Sequence, residues 1–248
     1  MLDETTYYFT AFAIDQNNNI IDTQTLSITT DFWWHVTPNT VGYRPLSSVT
    51  TTNDQTENHY DLSNNWNVQF GNYAGVDCAF INSTARNALS NQNNYWKTFV
   101  WSQPRTYSVF IYVISHSNKE AWIISINNNS WNEDRALWIM TNHTVRWYIS
   151  FNGTPFCYTS AINTWEWYLL NLVFTGTQAK IYLNGVLQET IDNTGATDQL
   201  TYFGIWPRYP NNASIYGYVS NVIFEKVARS DDDIMKYKNK MKSIYWIV

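Results

Sequence analysis

Two Asn-rich loops carry the side chains best suited to binding a sugar. The first spans Asn127–Asp134 and the second spans Trp206–Asn212. Tryptophan rings pack on sugar C–H faces, while amide and carboxylate groups bond to sugar hydroxyls. A chain with 13 Trp also uses many of them to cap its core, so both interpretations of these loops stay open. The candidate ligand-binding residues are Trp131, Asn132, Asp134, Trp206, Arg208, Tyr209 and Asn211.

Glycosidase chemistry would require two carboxyl groups that flank the scissile bond, about 5 Å apart in retaining enzymes. Glu133 and Asp134 are adjacent, so on a strand they would point to opposite faces. Glu166 stands alone between two tryptophans, and Glu57 and Asp61 lie in turn-rich sequence. The histidines lie in or beside polar loops, without a nucleophile elbow. We therefore expect no enzyme, and a polysaccharide hydrolase is the least favoured function.

Calcium is the metal for which the sequence offers candidate ligands. Carboxylate and amide oxygens from loops suit this ion, and the candidate metal ligands are Asp54, Asp77 and Asn82. No Asp-x-Asp-x-Asp-Gly loop occurs, and Asp231–Asp233 is more simply the start of a helix. No Cys–His spacing indicates zinc. The expectation is that no cofactor is required and that Ca²⁺ is a candidate ligand.

The two cysteines, Cys78 and Cys157, lie far apart within the strand-like sequences VDCAFI and PFCYT. A disulfide between them would require maturation in an oxidising compartment. Two buried free thiols explain the same pattern equally well, because unpaired cysteine is among the most buried residue types. The sequence leaves both alternatives open.

Composition indicates an all-β protein. Aromatic residues make up 17% of the 248 residues and charged residues only 14%. Aromatic and β-branched residues favour strands, and asparagine favours turns. The net charge is −5 and the Lys and Arg residues form no basic patch, which argues against nucleic acid and anionic membrane surfaces as partners.

Targeting signals are not evident in the sequence. The N-terminal MLDETTYYFTAFAID lacks the basic start and apolar core of a signal peptide, and no apolar run is long enough to insert into a membrane. We expect an extracellular, cell-surface or virion-surface location, which would be reached through an upstream segment or by release such as cell lysis.

Strands joined by tight turns must position the Asn-rich loops. Trp165–Ile191 shows an apolar run, a turn near Gly176, period-two alternation and a second turn at Asn184-Gly185. This pattern predicts antiparallel hairpins. Ser230 is predicted to cap a C-terminal helix, whereas the terminal SIYWIV is strand-like. Further strands are predicted at Tyr107–Ser115, Ala121–Ile126, Ala136–Met140, Val145–Phe151, Leu200–Ile205 and Ile215–Phe224.

Several of these stretches resemble laminin-G-like, concanavalin A-like lectin/glucanase jelly-roll domains. The strand "IYLNGVL", the phrase Asp54–Asn64, the core strand Val76–Phe80 and the closing strand with Gly217 match that family's pattern, whereas the Gly of its "FNGSS" turn is missing after Phe80. The resemblance covers about residues 41–242. It implies a sandwich of two antiparallel sheets with a short C-terminal helix.

The N-terminal "TTYYFTAFAID" resembles the penultimate strand of a fibronectin type III or Ig-like domain, and a last strand follows it. The predicted organisation is a remnant hairpin at 1–32, a linker at 33–40, the jelly roll at 41–242 and a tail at 243–248. Two unpaired strand edges invite pairing with another chain, so self-association through the hairpin is a minority hypothesis.

The favoured function is a non-catalytic recognition or adhesion module that binds a glycan or a surface protein through rim loops. The alternative is a structural subunit or decoration of a filament, phage tail or capsid, in which the hairpin mediates assembly. A fold-level resemblance does not by itself choose between them.

Overall fold

The computed structural model describes residues 5–14, 20–30, 37–48, 52–64, 67–82, 89–91, 103–116, 121–127, 135–148, 156–192, 202–205 and 215–245. The chain divides into two compact units, Met1–Pro38 and Asn39–Val248. In chain order the described elements are β1 (Thr5–Ile14), β2 (Ile20–Thr30), β3 (Thr40–Arg44), β4 (Gln69–Tyr73), β5 (Val76–Ile81), β6 (Leu89–Asn91), β7 (Arg105–His116), β8 (Ala121–Asn127), β9 (Arg135–Ile139), β10 (Thr144–Tyr148), β11 (Phe156–Ala161), β12 (Trp167–Phe174), β13 (Gln178–Leu183), β14 (Val186–Asp192), β15 (Tyr202–Ile205), β16 (Ile215–Glu225) and the helix α1 (Asp231–Tyr245).

The first unit contains the predicted hairpin. Strands β1 and β2 pair antiparallel from Thr5 opposite Thr30 to Ala13 opposite Asp22, and the register shifts next to Ile14. Within the described residues these two strands form a sheet of their own. The descent of this hairpin from a fibronectin type III or Ig-like domain stays a prediction.

The second unit is a sandwich of two antiparallel sheets. One sheet has six strands in the order β11-β10-β9-β8-β15-β6. The other has eight strands, of which seven follow the order β14-β13-β12-β7-β16-β5-β4, and β3 also pairs with β16. Both sheets contribute to one hydrophobic core. The architecture confirms the predicted all-β jelly roll with a short C-terminal helix and an N-terminal hairpin.

Side-chain alternation explains which face of β7 enters the core. Tyr107, Val109 and Ile111 belong to the core cluster between the sheets, as expected for residues two apart on a strand. Strand β12 differs, because all eight of its residues are buried. Its outward-facing Val173 packs with Ile234 of α1, so the helix covers the outer side of this strand. A strand buried on both faces accounts for its continuous apolar sequence.

Helix α1 begins where the sequence predicts. The Asp233 backbone N–H donates to Ser230 Oγ at 3.2 Å, and Ser230 Oγ donates to Asp233 Oδ2 at 2.8 Å, which forms a reciprocal N-terminal cap. The helix continues to Tyr245, so the strand-like interpretation of the SIYWIV tail is wrong for residues 243–245. Ile234, Tyr237 and Met241 are buried at helical spacing and anchor α1 on the sheet. Among the described residues, no helix is long and apolar enough to span a membrane.

The two thiols are free and buried. Cys78 lies in β5 of the eight-stranded sheet, and Cys157 lies in β11 of the six-stranded sheet. Each S–H points to a carbonyl oxygen, that of Gly71 at 3.7 Å and that of Ala179 at 3.6 Å respectively. The structure therefore matches the free-thiol alternative.

Candidate ligand-binding site

Turns at one edge of the sandwich form the candidate site. Residues 140–143 connect β9 to β10, and residues 162–166 connect β11 to β12. The Ile162 backbone N–H donates to the carbonyl of His143 at 3.0 Å, which joins the two turns. The Trp165 N–H donates to the carbonyl of Val113 at 2.8 Å, which ties the second turn to the end of β7. We call these two turns together the Trp165 rim.

Trp165 is the most exposed large apolar residue of the described chain, with 60% of its surface accessible. Its φ is +68°, in the left-handed region that bulky residues rarely adopt. Such a backbone costs about 1–3 kcal/mol and persists where the surroundings enforce it, often at functional sites. Here the hydrogen bond to Val113 holds the turn, while the indole is left to solvent.

Glu166 is oriented by two neighbours on the same rim. The Tyr168 hydroxyl donates to Glu166 Oε2 at 2.6 Å, and the Asn163 backbone N–H donates to the Tyr168 hydroxyl at 2.9 Å. The Asn163 amide nitrogen lies 3.4 Å from each carboxylate oxygen. Burial, and then the hydrogen bond to Glu166, raises the pKa of Tyr168 to about 12, so the phenol remains a proton donor near neutral pH.

The Trp165 rim combines an exposed aromatic face with fixed hydrogen-bonding groups. A carboxylate accepts about four hydrogen bonds. Tyr168 supplies one short bond to Glu166, and the contacts from Asn163 are long, so acceptor capacity remains. The described side chains bonded to Glu166 are a phenol and an amide. The arrangement suits recognition of hydroxyl donors.

The candidate metal ligand Asp54 anchors the segment after β3. Its Oδ1 accepts from the N–H groups of Tyr43 at 2.9 Å and Thr56 at 3.1 Å. Its Oδ2 accepts from the Thr56 hydroxyl at 3.0 Å and from the Tyr60 N–H at 2.9 Å. The buried guanidinium of Arg44 lies 3.8 Å from Oδ2. Both carboxylate oxygens of Asp54 therefore accept hydrogen bonds from the protein.

The other two candidate metal ligands lie on or next to β5. Asp77 is exposed and accepts from the Asn72 side-chain amide at 3.0 Å, and Asn82 follows the end of the strand. Within the part of the chain that the structure describes, no three His, Cys, Asp or Glu residues form a group that could hold a metal ion. The calcium site stays a prediction.

The predicted ligand-binding residues lie outside the described residues. Trp131, Asn132 and Asp134 fall between β8 and β9, and the other four fall between β15 and β16: Trp206, Arg208, Tyr209 and Asn211. Ile215, the first residue of β16, pairs with His116 at the end of β7. Strand β7 also accepts the hydrogen bond from the Trp165 N–H, at the carbonyl of Val113.

A family model described as the concanavalin A-like lectin/glucanases superfamily, of the laminin-G type, matches residues 85–235. The chain belongs to this superfamily. The matched residues include the whole Trp165 rim and both Asn-rich loops of the sequence. Comparison with curated proteins finds no match.

Solved structures share the fold of this superfamily member at low sequence identity. The binding domain of Paraclostridial Mosquitocidal Protein 1 is 15% identical with a TM-score of 0.67, and the match covers 82% of this chain and 52% of that one. The binding domain of Botulinum neurotoxin DC in complex with rat synaptotagmin II is 14% identical with a TM-score of 0.66, over 82% and 52% of the two chains. The same toxin domain in complex with SialylT is 16% identical with a TM-score of 0.65, over 82% and 51%.

The chain thus spans about half the length of these toxin binding domains. At this identity the likeness establishes the shared jelly-roll fold alone. The neighbouring structures are binding domains, whereas the superfamily also takes its name from glucanases, so the chemistry of this member must be argued from its own residues.

The Trp165 rim was not among the sequence-based candidate sites. Trp165 precedes an apolar strand, so its sequence context indicates core packing rather than exposure. The left-handed backbone that turns it outward depends on a contact with β7, more than fifty residues earlier in the chain. The one local signal was Glu166, a lone charge between two tryptophans.

Proposed function

We propose that this domain is a non-catalytic recognition module that binds carbohydrate at the Trp165 rim. The observation that carries the proposal is an exposed indole, held at φ +68° beside a carboxylate that Tyr168 and Asn163 orient. An aromatic face supplies the apolar contact with a sugar ring, and Glu166 supplies an acceptor for its hydroxyls.

The comparisons support a binding role for this chain, but they do not identify its ligand. One fold neighbour is in complex with a protein, rat synaptotagmin II, and another is in complex with SialylT. Glycan and surface protein are therefore both partner classes for this fold. An exposed tryptophan favours binding of either class, but the neighbouring carboxylate and amide favour hydroxyl-rich ligands. The proposed location is extracellular, on a cell surface or on a virion surface.

Glycan-array screening followed by titration calorimetry tests the proposal. Trp165→Ala is expected to weaken binding at least tenfold, because a tryptophan at the centre of a binding surface typically contributes well over 1 kcal/mol. Trp165→Asn, which tolerates a left-handed backbone, should have the same effect. The matched control is Val186→Ala, which removes another exposed apolar side chain, 54% accessible, at the first residue of β14.

Two outcomes would reject the rim as the binding site. One is glycan binding that survives both Trp165 substitutions, and the other is the absence of any glycan ligand. If the Trp165 substitutions do not change glycan binding, loss of binding in Trp131→Ala or Trp206→Ala would locate the binding site at the Asn-rich loops. Titration in Ca²⁺ and in EDTA tests the predicted calcium site.

A second candidate function is structural, and the separate β1–β2 sheet favours it. A hairpin of two strands is marginally stable alone in water, so pairing with a further strand would stabilise it. Deleting residues 1–32 should then abolish self-association while the jelly roll stays folded. A chain that is monomeric at all concentrations, with or without this deletion, would exclude the assembly role.

A further inference from the structure

We propose that the Trp165 rim selects uncharged sugars and discriminates against sugars that carry a carboxylate or sulfate. This inference rests on the proposed function and names the ligand class of that same site. Residues 140–144 and 161–168, which form the rim and its strand ends, read MTNHT and AINTWEWY. Glu166 is the one carboxyl-bearing side chain in these two segments and His143 the one imidazole, and the segments contain no Lys or Arg.

The position of Glu166 makes its charge relevant to a ligand on Trp165. The two residues are adjacent in one turn, and the carboxylate is held on the rim by the Tyr168 hydroxyl at 2.6 Å. A sugar that stacks on the indole and reaches the neighbouring residue of the turn would bring its substituents against this carboxylate. Hydroxyl groups can donate to the remaining acceptor positions of Glu166, which form charge-assisted hydrogen bonds. An anionic substituent brings acceptors only.

Coulomb repulsion sets the size of the discrimination. Two like charges about 4 Å apart in water repel enough to weaken binding about fivefold, and partial exclusion of water increases that factor. Salt screens charges at an exposed site, because the Debye length is about 8 Å at physiological ionic strength. The preference for uncharged sugars should therefore be largest at low ionic strength.

Tyr168 acts in this proposal as a positioning residue. Its hydroxyl donates to Glu166 Oε2 and accepts from the Asn163 backbone, so it links the carboxylate to the turn. Without this hydroxyl, Glu166 keeps its charge but loses its fixed orientation. Removal of the hydroxyl should therefore weaken binding of uncharged sugars and still leave charged sugars disfavoured.

The test uses matched sugar pairs that differ in charge: oligosaccharides ending in galactose or in galacturonate, and asialo or sialylated forms of one glycan. Affinities of the full chain are measured by calorimetry at 20 mM and 300 mM salt. We expect the uncharged member of each pair to bind at least about fivefold tighter at low salt. We expect Glu166→Gln to bring that affinity ratio close to one. Glu189→Gln is the control, because it makes the same charge change at a carboxylate on β14 that accepts from the Tyr158 N–H at 2.6 Å. This control should leave the ratio unchanged.

Tyr168→Phe separates positioning from charge. It should weaken binding of uncharged sugars several-fold, with the charge preference retained. Tyr182→Phe is its control, because it also removes a hydroxyl that donates to a carboxylate, that of Asp231 at 2.7 Å, but on β13. Tighter binding of the anionic member, or a ratio that Glu166→Gln does not change, would overturn the inference. Both results leave the proposed function intact if Trp165→Ala still weakens binding at least tenfold, whereas loss of the Trp165 effect would reject that function itself.

Discussion

Replacement of Asp54 by Asn should destabilise the jelly roll by about 3–5 kcal/mol, the usual cost of removing one partner of a buried ion pair. Both side chains of the Arg44–Asp54 pair are fully buried. Burial lowers the pKa of Arg44 to about 10, and Asp54 and Asp61 oppose that shift, so the guanidinium remains charged near neutrality. The substitution leaves this charge without its main counter-ion. It also directs an amide N–H₂ at donors that now bond to Oδ2.

Urea unfolding of the wild-type and variant chains measures this cost. With a slope of about 2–3 kcal/mol/M, the unfolding midpoint should fall by roughly 1–2.5 M. Asp231→Asn is the matched control, because its ion pair with Lys180 is partly exposed and exposed pairs contribute at most about 1 kcal/mol. A loss below about 1 kcal/mol for Asp54→Asn would refute the argument that Asp54 anchors this segment through the buried pair.

Two further predictions concern buried groups. Burial raises the pKa of Cys78 and of Cys157 to about 12, so almost no thiolate forms at pH 8. A thiol reagent should therefore react with neither cysteine in the native protein and with both cysteines in guanidinium. Fast native labelling of either thiol would contradict the structure. Gly217→Ala should prevent stable folding, because an added Cβ would lie 2.0 Å from the Tyr112 carbonyl oxygen. Gly71→Ala is the control, because its Cβ would meet nothing within 4 Å. Thermal unfolding should show a native-like transition for Gly71→Ala and none for Gly217→Ala.

The sandwich could be predicted because local sequence signals agree with the global fold. Asn184 and Gly185 have φ values of +49° and +78°, the backbone that a two-residue hairpin turn requires and that Asn-Gly favours. The alternation of buried side chains along β7 and the Ser230 cap of α1 likewise follow from the local sequence. Each of these signals depends on neighbours within a few residues, so composition and spacing reveal them.

The candidate site at the Trp165 rim could not be predicted in the same way. The exposure of Trp165 arises from a left-handed backbone that a long-range contact with Val113 enforces, and no local pattern encodes that contact. The tail also differs from its prediction, because the sequence SIYWIV is strand-like but α1 continues to Tyr245. The pairing state of the cysteines also depended on which sheets their strands joined.

The pairing of β3 with β16 has a consequence for synthesis of the chain. Tyr43 lies opposite Ile223, and the Lys226 N–H donates to the Asn39 carbonyl at 2.8 Å, so the first strand of the sandwich closes against the last. Strand β16 also lies between β7 and β5 in the middle of its sheet. On the ribosome, β3 and one edge each of β5 and β7 must therefore stay unpaired until β16 emerges from the exit tunnel. Such intermediates expose strand edges, and chaperone binding to the nascent chain should persist until that point.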